Sequence, residues 1–470
     1  MAGVESTLVN PALGGGRLSP LERFLRLFTD VRAGEGATAL MMLASAFLIL
    51  CAYYFVKPLR DGWISISDIA GLGKWEVRAY SSFGQSLLLI PIVGWYGRLA
   101  ARLPRASLIT RASVFCMANI LVFWALRTEL FYALLPYSGI LFYLWVGIFG
   151  VFVVAQFFAF AADVYDEGSG ERMLPMIAIG ATAGAAGGSA LAGLLVDSKL
   201  PEEALLLLAL VPLGLSILLI RAVDERMRIP GAAIVPPAAP NSGGVRSALH
   251  LVLNHRYLLA IAGITLLLNW VNTNGENLLY RVLQDYVARE VTASGLDPTS
   301  REALEYTRSV STLFYSNYYA WVNAAALILQ AFVASRLLKY GGISGALLLL
   351  PVVSLVSYSV MWLVPILGVV KVMKIAENAA DYSINNTARH VLWLPVPPGM
   401  TYQGKPTIDS FVTRFGDGMA ALTVLVGGHV LALATDTFFV FNVVLVLAWL
   451  ALCFEVIRRY RAQSEGAASA

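Results

Sequence analysis

Residues 38–56 read TALMMLASAFLILCAYYFV, nineteen positions without a charge, closed by Lys57-Pro58-Leu59-Arg60-Asp61. A helix of about 20 apolar residues, rising about 1.5 Å each, crosses a hydrocarbon core of roughly 30 Å. A soluble helix of that length needs a polar face, and this run supplies none. It predicts a transmembrane span, whose end brings two cations and an acid within about one turn.

The pattern recurs along the chain. Twelve candidate spans begin near Thr38, Ala79, Ser107, Tyr137, Met173, Ala204, Tyr257, Ser311, Ile343, Val364, Ile408 and Asp436. Composition agrees: of 470 residues 58% are apolar and only 14% charged, against roughly 45–50% and 25% in soluble domains. Mean hydropathy is +0.69. These values exclude a soluble enzyme, a disordered chain and a disulfide scaffold. Cys51, Cys116 and Cys453 sit singly inside apolar runs and read as small buried hydrophobes. His250, His255, His390 and His429 are scattered, so no metal site is expected. No cleavable signal peptide is visible, and residues 1–37 carry one short amphipathic stretch, Leu21 to Phe28.

Between spans six and seven lies a stretch with Pro230, Pro236, Pro237 and Pro240, which reads as a linker. The expected organisation is an N-terminal segment 1–37, a six-helix half 38–222, a linker 223–256, a second six-helix half 257–457 and a tail 458–470. With the N-terminus inside, the inner segments hold about 20 of the 34 Lys and Arg, so both termini and the linker are expected in the cytoplasm. The inner cluster includes Arg98, Arg102 and Arg105. Arg281 to Val310, of mixed charge, reads as a loop with room for a short helix. The fold class is all-α integral membrane, about twelve transmembrane helices in two six-helix halves, the layout of the major facilitator architecture.

An ionisable side chain at mid-bilayer costs roughly 2.5–3.5 kcal/mol on insertion scales, so each needs a reason. In span ten Lys371, Lys374, Asn378, Asp381, Asn385 and Arg389 fall within about 80° of one another on a helix, with Glu377 at the edge. The stripe is either an ion-pair ladder, Lys374 to Asp381 and Lys371 to Glu377, or the wall of a water-filled path. In span seven Asn269, Asn272, Thr273 and Glu276 share a face, flanked by Asn274 and Asn277. They are either interhelical hydrogen bonds or a polar lining. Span eleven carries Arg414 and Asp417 behind Lys405 and Asp409, and Arg111 stands in span three. Phosphates commonly receive such cations, because Arg and Lys give charge-assisted bonds to their oxygens. Gly180, Gly184, Gly187, Gly188 and Gly193 of span five allow either close helix packing or substrate contact. No GxxxxGK[ST] loop occurs, so no ATPase motor is implied.

Four segments carry a resemblance. Lys57-Pro58-Leu59-Arg60-Asp61 is similar to a basic-x-x-basic-Asp element after the first span of the ATP:ADP antiporter-type nucleotide transporters of plastids and intracellular bacteria. Gln156 to Ala161, with Arg172-Met173-Leu174-Pro175 and Gly180-Ala181-Thr182, is similar to that family's fourth-to-fifth span region. Asp381-Tyr382-Ser383 through Leu394-Pro395 resembles a further stretch, and Gly404-Lys405-Pro406-Thr407-Ile408-Asp409 with Arg414-Phe415-Gly416 resembles its Lys-rich element. The chain departs from the pattern at Ser169, Asn272, Gln403 and Asp417. The resemblance implies a secondary transporter exchanging nucleotides by antiport, with Lys57, Arg60, Arg172, Lys405 and Arg414 contacting an anionic, ATP- or ADP-like solute.

Lys57, Arg60, Arg172, Asn272, Glu276, Lys371, Lys374, Lys405 and Arg414 are thus the expected substrate-binding residues, and Asp61, Glu377, Asp381, Asp409 and Asp417 the acids that balance them. The expected setting is an inner (cytoplasmic) membrane. The expected partners are the bilayer and a small anionic solute, with no cofactor, nucleic acid or obligate protein partner. With no nucleophile–base pair in view, an enzyme is not expected. A proton-coupled facilitator of a non-nucleotide molecule, with Glu276 or Asp381 as proton carrier, is the alternative. A non-transporting membrane protein that keeps the fold is a third reading.

Overall fold

The computed structural model describes residues 19–26, 31–100, 105–127, 129–165, 167–227 and 245–468. Among the described residues the regular structure is entirely helical. The spans are α1 (Gly36–Ser65), α2 (Lys74–Ala100), α3 (Arg105–Ala125), α4 (Tyr137–Val164), α5 (Glu167–Asp197) and α6 (Ala204–Met227). They continue with α7 (Arg256–Ala293), α8 (Arg301–Leu329), α9 (Ser335–Leu363), α10 (367–391), α11 (398–430) and α12 (Thr435–Ala468). All twelve expected span starts fall on these helices or within three residues of one. Among the described residues eight stretches are long and apolar enough to cross a membrane, one being the 63-residue Arg301–Leu363 run that holds α8 and α9. The others, α2, α10 and α11, are diluted by polar residues such as Ser82 and Gln85, Asn378 and Asn385, and Arg414 and Asp417.

Two expected boundaries shift. The segment from Arg281 to Val310 holds no separate helix. Leu283, Val287 and Val291 extend a buried stripe at helical spacing, so α7 runs on to Ala293 and the break shrinks to 294–300. Within the expected linker, Val245–Asn254 is a helix, and residues 228–244 lie outside the described set, as does Arg102. Within α9 the helix kinks at Gly342 (φ 62°, ψ −169°), a conformation that glycine reaches without a Cβ clash. Among the described residues four π-helical segments interrupt the ladder, at Gln330–Ala334, Asp381–Asn385, Ile408–Val412 and Val424–Val430. Such bulges mark functional positions more often than chance.

The chain forms two compact units. Unit 1 comprises Met1–Gly62, Ile92–Ala238 and Thr312–Ala324; unit 2 comprises Trp63–Pro91, Ala239–Ser311 and Ala325–Ala470. In unit 1, α3 packs on α4 and α6. There α5 lies directly on the backbone of α1, with Gly180 over Leu43, Gly184 over Phe47 and Gly188 over Cys51. The glycine stripe is therefore a packing surface, matched turn for turn by every fourth residue of α1. In unit 2, α7 touches α10, α11 and α12, and α9 packs on α10 and α12. The three cysteines are free and buried. Phe115, Leu141 and Phe454 stand outward, as lipid-facing residues do.

A Cβ at Gly184 would lie 2.1 Å from the Phe47 carbonyl oxygen, whereas at Gly187 the nearest atom is 3.7 Å away. Gly184→Ala should thus destabilise the detergent-solubilised protein by about 1–3 kcal/mol, the usual range for overpacking. Gly187→Ala should be near neutral. Thermal unfolding of the two variants side by side checks this.

Candidate functional site

In unit 1 the end of α1 gathers charge among tyrosines. Lys57 Nζ lies 4.0 Å from the ring centre of Tyr319, 4.9 Å from Tyr54 and 5.9 Å from Tyr53. Arg60 stacks its guanidinium 4.6 Å from the Tyr143 ring and sets Nη2 3.2 Å from both carboxylate oxygens of Asp61. Tyr319 donates its hydroxyl to Asp61 at 2.8 Å. Asp61 is fully buried and Arg60 8% exposed. The Arg60 Nε has no hydrogen-bond partner among the described residues. Gly150 of α4 makes room for this, since a Cβ there would meet the Tyr53 ring at 2.4 Å. Aromatic faces hold a cation in a dry setting without neutralising it, at roughly 0.5–2 kcal/mol each.

Arg172 is not part of that cluster. It forms a two-pronged pair with Glu35, at 2.9 and 3.1 Å, and donates from Nε to the Gly168 carbonyl at 3.2 Å. Glu35 precedes Lys57 by 22 residues of nearly continuous helix, so Arg172 stands roughly 33 Å away along α1. Burial pushes the Glu35 carboxyl up, but the bonds from Arg172 and the Arg32 amide outweigh it and leave its pKa below the ordinary glutamate value.

In unit 2 three cation–carboxylate groups meet α7, at Asn272, Thr273 and Glu276. Lys374 Nζ is 2.7 Å from Glu377 and 3.1 Å from Asn272 Oδ1. Ser354 donates to the other Glu377 oxygen at 3.0 Å, and the Tyr358 hydroxyl stands 3.1 Å from Glu377 and from the Val271 carbonyl. The lysine is 0% and the glutamate 3% exposed. Gly275 allows this approach, because a Cβ would lie 2.0 Å from the Tyr358 hydroxyl and 2.7 Å from Lys374 Nζ. The partner of Lys374 is Glu377, not Asp381 as the ladder reading expected. At i+3 the glutamate is on the same face of α10, whereas Asp381 accepts from Asn385 at 2.7 Å. Lys371, a turn before Lys374, is half-buried.

Glu276 accepts from Asn378 at 2.6 Å and faces Arg78 of α2 at 3.8 Å, while Arg78 donates to Asn277 at 3.0 Å. Arg414 pairs with Asp417 at 3.2 Å. Asp417 in turn accepts from Ser86 at 2.7 Å and Thr273 at 3.0 Å. Lys405 and Asp409 belong to a separate group, Lys405 Nζ 3.3 Å from His390 and Asp409 2.9 Å from Arg389.

Arg78, Ser86, Tyr319, Tyr143, Ser354 and Tyr358 are absent from the sequence-based set. Arg78 adjoins the start of an apolar run and reads as an interface residue. Ser354 and Tyr358, four apart among the serines of that span, were a usable signal.

No protein-family model matches the sequence, and no curated relative matches it. Solved structures do. The chain is similar to nucleoside transporter NupG (TM-score 0.58, 14% identity, 88% of this chain and 98% of that one). It is likewise similar to the human organic anion transporter MFSD10 (TM-score 0.56, 15% identity, 90% and 100%). A POT family transporter in complex with a thioalcohol-conjugated peptide gives a TM-score of 0.61 at 12% identity over 92% and 97%. At these identities the likeness establishes the fold: a multi-pass, all-helical membrane fold of the major facilitator kind.

Removing one partner of a fully buried ion pair leaves an uncompensated charge, at about 3–5 kcal/mol. Lys374→Met should lose that much stability, and Lys374→Met with Glu377→Gln should regain most of it; chemical or thermal unfolding of both variants decides. Glu35 gives a pH prediction. Its depressed folded pKa means that its contribution is complete above the unfolded value and is lost as pH falls through the folded one. Wild type should weaken on acidification relative to Glu35→Gln, with the two converging at low pH, in unfolding measured between pH 7 and pH 3.

Proposed function

We propose that the protein is a secondary transporter that moves an anionic, phosphorylated solute by alternating access, with nucleotide exchange of the ATP/ADP type as its leading form. Arg60 carries the reading. A guanidinium this deeply buried, stacked on Tyr143, paired with Asp61 and keeping one donor unsatisfied, suits an incoming anion more than a purely structural role. Lys57 beside it adds a second cation, held over the rings of Tyr53, Tyr54 and Tyr319.

In unit 2, Glu276, Glu377 and Asp417 answer Arg78, Lys374 and Arg414 one for one, the balance an empty carrier needs. An anion binding there must displace a carboxylate. Arg414, a quarter exposed, is the most reachable of these cations. Asn272, where the resembling family leads one to expect a glutamate, leaves Lys374 with a single carboxylate. On this reading Arg172 acts structurally, tying α5 to the start of α1. The protein sits in the cytoplasmic membrane with both termini inside.

Counterflow tests the proposal. Proteoliposomes loaded with ADP should take up labelled ATP, while empty vesicles, with or without a pH gradient, should not. Arg60→Gln and Arg414→Gln should each lower that uptake at least tenfold, a loss of about 1.4 kcal/mol or more per charged contact. Uptake into empty vesicles driven by a pH gradient alone would overturn exchange in favour of proton coupling.

A further inference from the structure

Where α7, α11 and α12 meet in unit 2, Trp270, Leu422, Val426, Phe438 and Phe441 wall an apolar cavity of about 360 Å³. Leu422, Val426 and Leu431 of its lining are also exposed, so the cavity opens on the lipid-facing side of these helices. On its wall Trp270 Nε1 donates to Thr423 Oγ1 at 2.9 Å, and the two satisfy each other. Such a lining suits a hydrocarbon group and not a polar solute, and water leaves apolar cavities dry. An apolar cavity of about 150 Å³ takes up the six carbons of benzene, so this one has room for about a dozen.

One end of the cavity is charged. Leu433 and Phe438, both part of its wall, are held by Arg281 of α7. Its Nη2 donates to the Leu433 carbonyl at 3.3 Å, and its guanidinium lies 5.5 Å from the Phe438 ring centre and 4.5 Å from that of Trp75. Nη1 is buried and has no hydrogen-bond partner among the described residues. Arg78, Lys374 and Arg414 each have a carboxylate, but among the described residues no ion pair joins Arg281 to one. Glu76 turns its carboxylate to the Gly73 amide and His429, and Asp285, a turn further along α7, is exposed. The Arg281 cation is therefore short of an anion. It stands eleven residues beyond Trp270, roughly 16 Å along α7. That is about the depth of one leaflet of a hydrocarbon core roughly 30 Å thick.

We infer that this is a binding site for one bilayer phospholipid, with an acyl chain in the cavity and the headgroup phosphate on Arg281. A phosphate oxygen gives Nη1 its missing acceptor, and it accepts more strongly than the Leu433 carbonyl, whose bond is long for a charged donor. The faces of Trp75 and Phe438 hold the guanidinium at that level meanwhile. Because the cation and the cavity share Leu433 and Phe438, an amphiphile uses both and a free phosphate only one. The chain completes the packing where the π-helical Val424–Val430 segment contributes Val426 and Gly427 to the wall and leaves a gap. The site does not depend on which solute the protein carries.

The full chain in detergent micelles, titrated with a dibrominated phosphatidylglycerol, reports occupancy through quenching of Trp270. The share of that residue in the fluorescence is the difference between wild type and Trp270→Phe. It should be quenched saturably, at low lipid mole fraction. Dibrominated diacylglycerol, which lacks the phosphate, should need about ten times the mole fraction for half quenching, and Arg281→Gln should shift the phospholipid curve by as much. Val426→Phe, which fills the cavity, should leave only quenching that rises linearly with lipid. Linear quenching of the wild type would mean ordinary boundary lipid and overturn the site. Equal half-quenching by the two lipids, or an unshifted curve in monodisperse Arg281→Gln, overturns the phosphate contact at Arg281. If inorganic phosphate relieves the quenching, Arg281 takes free anions and the assignment to lipid is overturned.

Discussion

Lys374 and Glu377 form a charge pair with no solvent on either side, and the packing of unit 2 depends on it. Separate ions in such a place would cost several kcal/mol each, so the pair exists only if geometry closes around it. That geometry fixes neighbours in turn. Ser354 and Tyr358 must project from α9 toward the glutamate, Asn272 must face the lysine from α7, and position 275 must lack a Cβ. One ion pair thereby sets the mutual rotation of α7, α9 and α10. It also explains why α10 tolerates so polar a sequence: its charges meet partners, not lipid.

Much of the architecture was legible because hydrophobic run length is a strong signal for membrane helices. The run at residues 38–56 decides its own span, and α3 to α9 and α12 follow by the same rule, while polar residues hold α2, α10 and α11 below it. The kink at Gly342 was visible in Gly341-Gly342. The end of α7 was not, because the charges beyond Arg281 mask a buried stripe that only its partners define. Helix register within the sequence placed Lys374 and Asp381 on one face, yet which acid the lysine chooses depends on the face α9 presents. A single sequence says little about that.

The candidate site shows the same limit. Lys57, Arg60 and Asp61 came to light because charges in apolar surroundings are conspicuous. The tyrosines around them did not, since Tyr143 and Tyr319 are ordinary members of apolar runs more than 80 residues away in sequence. Arg172 came from a resemblance, and the structure gives it a carboxylate partner at the far end of α1. Motif likeness transfers a residue's position along the chain; whether it meets the other members of a site depends on helix length and packing.

The balance of charge around α7 bears on the proposed coupling. In unit 2 Arg78, Lys374 and Arg414 carry three positive charges, and Glu276, Glu377 and Asp417 carry three negative ones, every pair at least partly shielded from water. A neutral arrangement of this kind is stable when empty. Adding an anion without moving anything would bury unmatched negative charge at a cost comparable to losing a pair. Binding therefore has to rearrange the pairs, and the arrangements with and without solute are distinct states separated by broken ion pairs. On the proposed reading as an exchanger, such a site would change state readily only when solute compensates the break, which is the electrostatic condition exchange requires.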